Sequence, residues 1–394
     1  MTRIKAYDVV VLGLGGIGSA AAYWLAKRGA RVVGLEQFEL GHVRGESHDH
    51  SRIIRYSYFS PVYVRLAKHA YAAWDSLERD SGEKVVYKTG GLDIRPRDGA
   101  IPLEPYAESM RQCGVPFESL DAAEIRKRWP AWQVDDAIHG LFQPDGGLVA
   151  AMKGTAAHQR MAREYGATLL ERSPVRSIEG NGDDEITVET DNATLTARSL
   201  VVTAGPWSGW ALAQFGLRVP LEVTKEQVMY FRAHDLAGFA LGEFPIWIWM
   251  DDPAFYGFPV FGEPDAVKVT QDAGGKPVDP DTRGFDEDAE ITARVRGFLK
   301  RYLPAALGPI SLAKTCLYTL PPDREFIVDT LPGHPNVSLA VGAGHAFKFA
   351  GVIGRMLAEL ALDRESPVLT ETGGTFDVDR PILKMESPPK TYMV

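Results

Sequence analysis

The chain reads as α/β plus α+β: a Rossmann-type nucleotide-binding domain joined to a second, sheet-rich domain. Three observations predict this. A length of 394 residues exceeds what one ordinary core organises, so two domains are expected. The first 36 residues run strand, glycine-rich turn, helix, strand and acid. Two later stretches, about 86–144 and 221–309, are strand-rich, with many prolines and aromatics.

The N-terminal segment "YDVVVLGLGGIGSAAAYWLAKRGARVVGLE" sets the first domain. Residues 9–12 are a short apolar, β-branched run, as in a buried parallel strand. Gly13-Leu14-Gly15-Gly16-Ile17-Gly18 follows, a GxGxxG. The spacing of Ile17, Ala20, Ala21, Trp24 and Leu25 predicts a helix from about 17 to 28, ended by Gly29, with Lys27 and Arg28 in its last turn. Residues 31–36 form the next strand, ending in Glu36. Each part has a physical task. Gly13 permits the tight turn, Gly15 lets the backbone approach a pyrophosphate, and Gly18 lets helix and strand pack closely. The helix N-terminus offers N–H groups to phosphate. Glu36 is placed to accept hydrogen bonds from an adenosine ribose. The motif alone does not separate FAD from NAD.

Composition narrows the partners. Hydrophobic residues make up 45% and charged residues 24%, as in globular proteins, and the formal net charge is −9. That balance argues against a nucleic-acid partner or an anionic membrane surface. The uncharged run at 9–26 is explained by the glycine motif, not by a signal peptide or a membrane span. Two cysteines, Cys113 and Cys316, make no disulfide framework and suit a reducing cytoplasm. No metal is expected, because no Cys/His cluster has ligand spacing.

Beyond the second strand, residues 45–55 read "GESHDHSRIIR", dense in His and Arg. A segment there can run past the pyrophosphate toward the reactive end of a cofactor. Arginine at that place can bind phosphate, cofactor oxygens or a substrate carboxylate through its rigid donor fork. A helix follows in "YVRLAKHAYAAWDSLERDSG", ending at a glycine. Near the C-terminus, "AVGAGHAFKFAGVIGRMLAELALD" reads as strand, glycine turn and helix. Phe349, Val352, Ile353, Met356, Leu357 and Leu360 lie on its core face, and Lys348 falls in its first turn.

With these blocks in view, the chain resembles the monomeric sarcosine oxidase and N-methyltryptophan oxidase group of D-amino-acid-oxidase-like flavoproteins. The markers are the GxGxxG start, "SHDHSRIIR", "QPDGG", "TAGPWS", "YGFPVFG", "KTCLYTLPPDREFIVD" and "GAGHAFKF", in order over nearly the whole chain. The resemblance implies an FAD-binding domain with a substrate domain roofing the flavin. Its expected division is 1–85, 145–220 and 310–394 for FAD binding, and 86–144 and 221–309 for the roof. It implies FAD held by a thioether from Cys316, whereas Cys113 is read as packing. Arg52 matches an arginine close to the flavin ring and Lys268 a lysine that activates dioxygen. Arg55 and Lys348 match a pair that binds the substrate carboxylate. His48, Tyr256, Tyr318 and His345 match further active-site positions, and Ser51 and Gly344 join the cofactor-binding set. Two departures stand out. A family histidine is missing where this chain has Thr270-Gln271-Asp272, and a pocket methionine is replaced by Trp249. The implied activity is an oxidase taking sarcosine, O2 and water to glycine, formaldehyde and H2O2, working as a monomer. Oxidation of cyclic imino acids or larger N-methyl amino acids, and a flavin dehydrogenase with another acceptor, are the alternatives.

Overall fold

The computed structural model describes residues 5–180, 182 and 185–389. The first strand, Lys5–Leu12, lies between Val32–Leu35 and Thr194–Val202, parallel to both. Val9, Val10 and Val11 have no exposed surface, because helices cover one face of this sheet and other chain segments the opposite one. Among the described residues the sheet has eight strands, with His334–Val341 adding in parallel to the C-terminal half of Thr194–Val202. Sequence-distant segments therefore meet at its centre.

The helix after the glycine turn spans Gly16–Lys27, and Gly29 takes φ +83° just beyond its end. It packs on the helix Ala350–Asp363, where a side chain on Gly354 would meet the Ala20 Cβ at 2.6 Å. One element differs from expectation. The α-helix near the C-terminus begins at Ala350, and Lys348 lies in a 3-10 turn, Ala346–Phe349, just before it. Lys348 thus precedes the helix dipole's positive end rather than sitting inside its first turn.

A second sheet of nine described strands, mostly antiparallel, lies apart from the first. Eight of the nine come from within 86–144 and 221–309. The ninth is Ile310–Leu320, the strand carrying Cys316, which pairs with Glu222–Arg232 along its length. In the expected division that strand falls with the FAD-binding segments, yet its hydrogen bonds join the roof sheet. A small third sheet joins Ser51–Ile54, Gly147–Ala150 and Val86–Lys88. Among the described residues, no helix is long and apolar enough to cross a membrane.

Candidate active site

Two adjoining cavities share Ile17, Glu46, Ser47 and Gly342 as wall. The larger, about 520 Å³, is lined by Gly13, Leu14, Gly15, Gly16, Glu36 and Trp207 among others. Gly13 has φ +88°. A Cβ on Gly15 would come within 2.9 Å of Ser47 Oγ, and one on Gly18 within 1.9 Å of the Gly13 carbonyl. Gly18 is therefore required by helix–strand contact and Gly13 by its left-handed turn beside the Thr203 carbonyl, 2.5 Å from where its Cβ would lie, while Gly15 leaves room beside Ser47. Glu36 accepts from the Leu14 N–H at 3.0 Å and the Phe38 N–H at 3.1 Å. Burial opposes its charge, but His42 and those donors outweigh it and hold the carboxyl below its usual value.

His48 lines this cavity too, and neither of its buried ring nitrogens has a hydrogen-bond partner. Burial, helped by Arg52, pushes it down to about 3, so the ring is neutral. Glu46 is pushed up to about 7 by burial, and its Oε1 has no partner. Residues with unsatisfied polar atoms, lining a cavity walled by bare glycine backbone, fit a long, polar dinucleotide. FAD therefore fits the residues present. Gly13, Gly15 and Glu36 would hold its adenosine end, with the smaller cavity left for its ring.

The smaller cavity, about 150 Å³, gathers the charged residues. Arg52, Arg55, Arg324 and Lys348 line it, with Tyr256, Tyr318, His345 and Asp272. Arg52 donates to the backbone carbonyls of Glu46, His48 and Ser51, which fixes its guanidinium. Arg55 Nη1 donates to Asp93 Oδ1 at 2.9 Å, and Ser57 donates to the other oxygen. Arg324 Nη1 lies 3.1 Å from Asp272 Oδ2. Lys348 has no carboxylate within ion-pair distance among the described residues. Burial, followed by the neighbouring Arg55, pushes it down to about 7. His345 Nε2 lies 2.9 Å from the Arg324 carbonyl oxygen, and burial holds the ring neutral. Gly344, at φ +77°, leaves room for the Tyr318 ring, which a Cβ there would meet at 2.5 Å.

Trp249 is not in this wall, which corrects the expectation from sequence. On the strand Ile246–Trp249 alternate side chains face opposite ways. Ile248 faces the cavity, as does Met250 just beyond the strand, while Trp249 packs against Phe298 and Tyr302. A methionine therefore does line the pocket, one residue along.

Ser51, Lys268 and Cys316 stand behind the walls. Ser51 contributes its backbone oxygen to Lys268 and Arg52, and its own hydroxyl is buried without a partner. Cys316 is buried opposite Glu226 in the strand pairing. Burial pushes its thiol up to about 11, while Arg52 and Lys268 pull the other way. Cys113 ends the helix Glu104–Gln112, half-buried against the core.

Sequence reasoning missed Asp49 and Arg324. Asp49 sat unremarked inside "SHDHSR", an acid among bases, and Arg324 inside the block chosen for its cysteine.

A nucleotide cradle with glycine walls, opening on a buried cationic pocket, defines a flavin-dependent oxidoreductase. The chain belongs to the DAO family of FAD dependent oxidoreductases, whose model matches residues 8–360. It is 37% identical over 364 residues to a monomeric sarcosine oxidase of Streptomyces avermitilis, covering 90% of this chain and 94% of that one. It is 32% identical over 372 residues to the N-methyl-L-tryptophan oxidase of Escherichia coli, covering 91% and 96%. Among solved structures it is similar to NikD, described as an unusual amino acid oxidase essential for nikkomycin biosynthesis. The TM-score to the Tyr258Phe mutant is 0.83 at 26% identity, covering 99% of this chain and 98% of that one.

Proposed function

We propose that this enzyme oxidises N-methyl α-amino acids, sarcosine among them, and passes the electrons to O2. Sarcosine, O2 and water would give glycine, formaldehyde and H2O2. The observation that carries this reading is the convergence of Arg55 and Lys348 on one small cavity, with Arg324 beside them. Two or three buried cations around one space favour a carboxylate, and a charge-assisted contact in such a place is strong. The relatives named for sarcosine and N-methyltryptophan support the N-methyl amine.

Bound FAD supplies the two-electron acceptor. The chain's own residues supply the rest. Arg55 and Lys348 hold the carboxylate, so the N-methyl group is oriented by its other end. Arg55 is itself fixed by Asp93, which pre-orients its donors. Neutral His345 adds no charge repelling an amine. Tyr256 and Tyr318, both held protonated by burial, can donate but do not compete as bases. Lys268 supplies a fixed positive charge for the negative charge that develops on oxygen. Cys316 is read as the thioether tether. Its thiol must first lose a proton, and Arg52 is the nearby charge that favours this. The names of the relatives support a monomer, and the two cysteines a reducing compartment such as the cytoplasm.

One experiment tests the reading. The purified protein is precipitated in acid, and a second portion is assayed for peroxide and formaldehyde with sarcosine, N-methyltryptophan, L-pipecolate and L-proline. Yellow colour staying with the pellet, and equal yields of peroxide and formaldehyde from sarcosine, are expected. Colour released to the supernatant would remove the tether. Preference for a cyclic amino acid would move the oxidised carbon into the ring, and substrate turnover without peroxide would make the enzyme a dehydrogenase.

A further inference from the structure

Lys268 is buried, yet it is not a solitary charge. Its Nζ donates to Asp49 Oδ2 at 2.6 Å and to the Ser51 carbonyl at 2.9 Å. The Phe258 ring lies 4.7 Å below it. Asp49 is itself held from several sides. Tyr230, opposite Lys268 in the strand pairing, donates to its Oδ1 at 2.7 Å. Arg52 and Lys314 each approach it at 3.5 Å. Asp49 also adopts φ +91°, a left-handed conformation that aspartate adopts more readily than most side chains other than glycine.

We infer that Asp49 is a positioning residue for the reaction with oxygen, fixing the Lys268 ammonium against the Ser51 carbonyl and keeping it charged. The inference rests on the reading of Lys268 as the cation that serves the oxygen reaction from behind the cavity wall. Two effects oppose a charged Lys268: its burial and the like charge of Arg52. Asp49 opposes both. Cys316 would favour the ammonium only as a thiolate; its free thiol is held protonated by burial, and as the proposed thioether it carries no charge. His50, also nearby, is held neutral by burial. Asp49 is thus the main counter-charge, and no second carboxylate lies within ion-pair distance of Lys268 among the described residues.

Lys268 sits at about 8, below a free lysine, and Asp49 is what keeps it from falling further. Charge on Lys268 is lost as pH rises through that value. Without the Asp49 charge it is lost at lower pH.

The test uses FAD-loaded wild type, Asp49→Asn and Lys268→Arg, with the substrate and oxygen half-reactions measured separately by stopped flow from pH 6 to 10. Wild type should lose its oxygen rate with a midpoint near pH 8, and Asp49→Asn at least about one unit lower, roughly fivefold or more slower at pH 8. The substrate half-reaction should change little. The 13Cε resonance of Lys268, assigned by its loss in Lys268→Arg, should titrate with the same two midpoints and reads the effect without turnover. Lys268→Arg should flatten the oxygen profile, because guanidinium does not titrate in this range. A midpoint surviving in Lys268→Arg would remove Lys268 from the oxygen step altogether. A profile flattened by Lys268→Arg but unmoved by Asp49→Asn would overturn the role of Asp49 alone. Where Asp49→Asn fails to fold, Asp49→Glu carries the test. The retained charge keeps the midpoint, the longer side chain displaces the ammonium, and the oxygen rate falls; an unchanged rate would contradict positioning.

Discussion

Lys348 is the cavity cation whose charge is easiest to lose. It sits at about 7, and a bound carboxylate favours its charged form, so anion affinity should fall as pH rises through that value. Propionate isolates the effect, because it carries the acid without the amine and stays ionised from pH 6 to 9. Its dissociation constant, read from the flavin absorbance, should rise steadily over that range. Glu46, at about 7 on the same wall, would add a change of the same sign when it ionises. Lys348→Met separates the two: binding at pH 6 weakens and most of the pH dependence disappears. Affinity independent of pH in wild type would mean that Lys348 does not meet the acid. Arg55 is a poorer probe. Removing it strands Asp93 in the core, a change that costs about 3–5 kcal/mol of stability before any ligand is considered. At this scale the sequence was readable where a motif fixes the geometry, as in the turn at Gly13 and the close contact at Gly18, with Glu36 on the cavity wall. It was silent at Asp49 and Arg324, whose meaning lies in partners 219 and 52 residues away.

The elements were legible where periodicity is strong. The strand–helix–strand start and the long helix Pro61–Ser81, closed by Gly82 at φ +70°, follow the pattern of apolar residues. The 3-10 turn before Ala350 did not show, since its four residues carry a helix-like pattern and its geometry is set by tertiary contacts: Phe349 against Tyr58, and the Lys348 carbonyl accepting from Trp74. Trp249 shows a sharper limit. A slip of one residue on a strand exchanges the cavity face for the core face. The critical joint between elements is Gly18 against Gly13. Gly18→Ala places a methyl 1.9 Å from a carbonyl oxygen and must push the helix off the strand. Such overpacking costs roughly 1–3 kcal/mol, and here it also displaces the phosphate-facing helix end. Flavin absorbance per mole of purified protein should fall well below wild type. Gly209→Ala, where a methyl meets nothing within 4 Å, should keep full flavin. Equal flavin content in the two variants would show that the close contact is dispensable.

Across the whole molecule, charge is distributed unevenly. The chain carries a net −9, yet four cations line its smaller cavity. They arrive from separate places: Arg52 and Arg55 from the segment after the first βαβ unit, Arg324 from the loop after the Cys316 strand, and Lys348 from the turn near the C-terminus. All three sheets must be in place before these groups share one cavity. That explains why composition gave no hint of the site, while the ordered blocks along the chain did. On the proposed reading, the substrate carboxylate is what these cations recognise. The most direct measurement is kcat/KM for sarcosine against dimethylamine, the same N-methyl amine without the acid, by peroxide release from the unmodified enzyme. Loss of charge-assisted contacts to two cations should lower kcat/KM for dimethylamine by roughly a hundredfold or more. Values within about threefold of each other, less than one ordinary hydrogen bond is worth, would contradict a carboxylate clamp at Arg55 and Lys348.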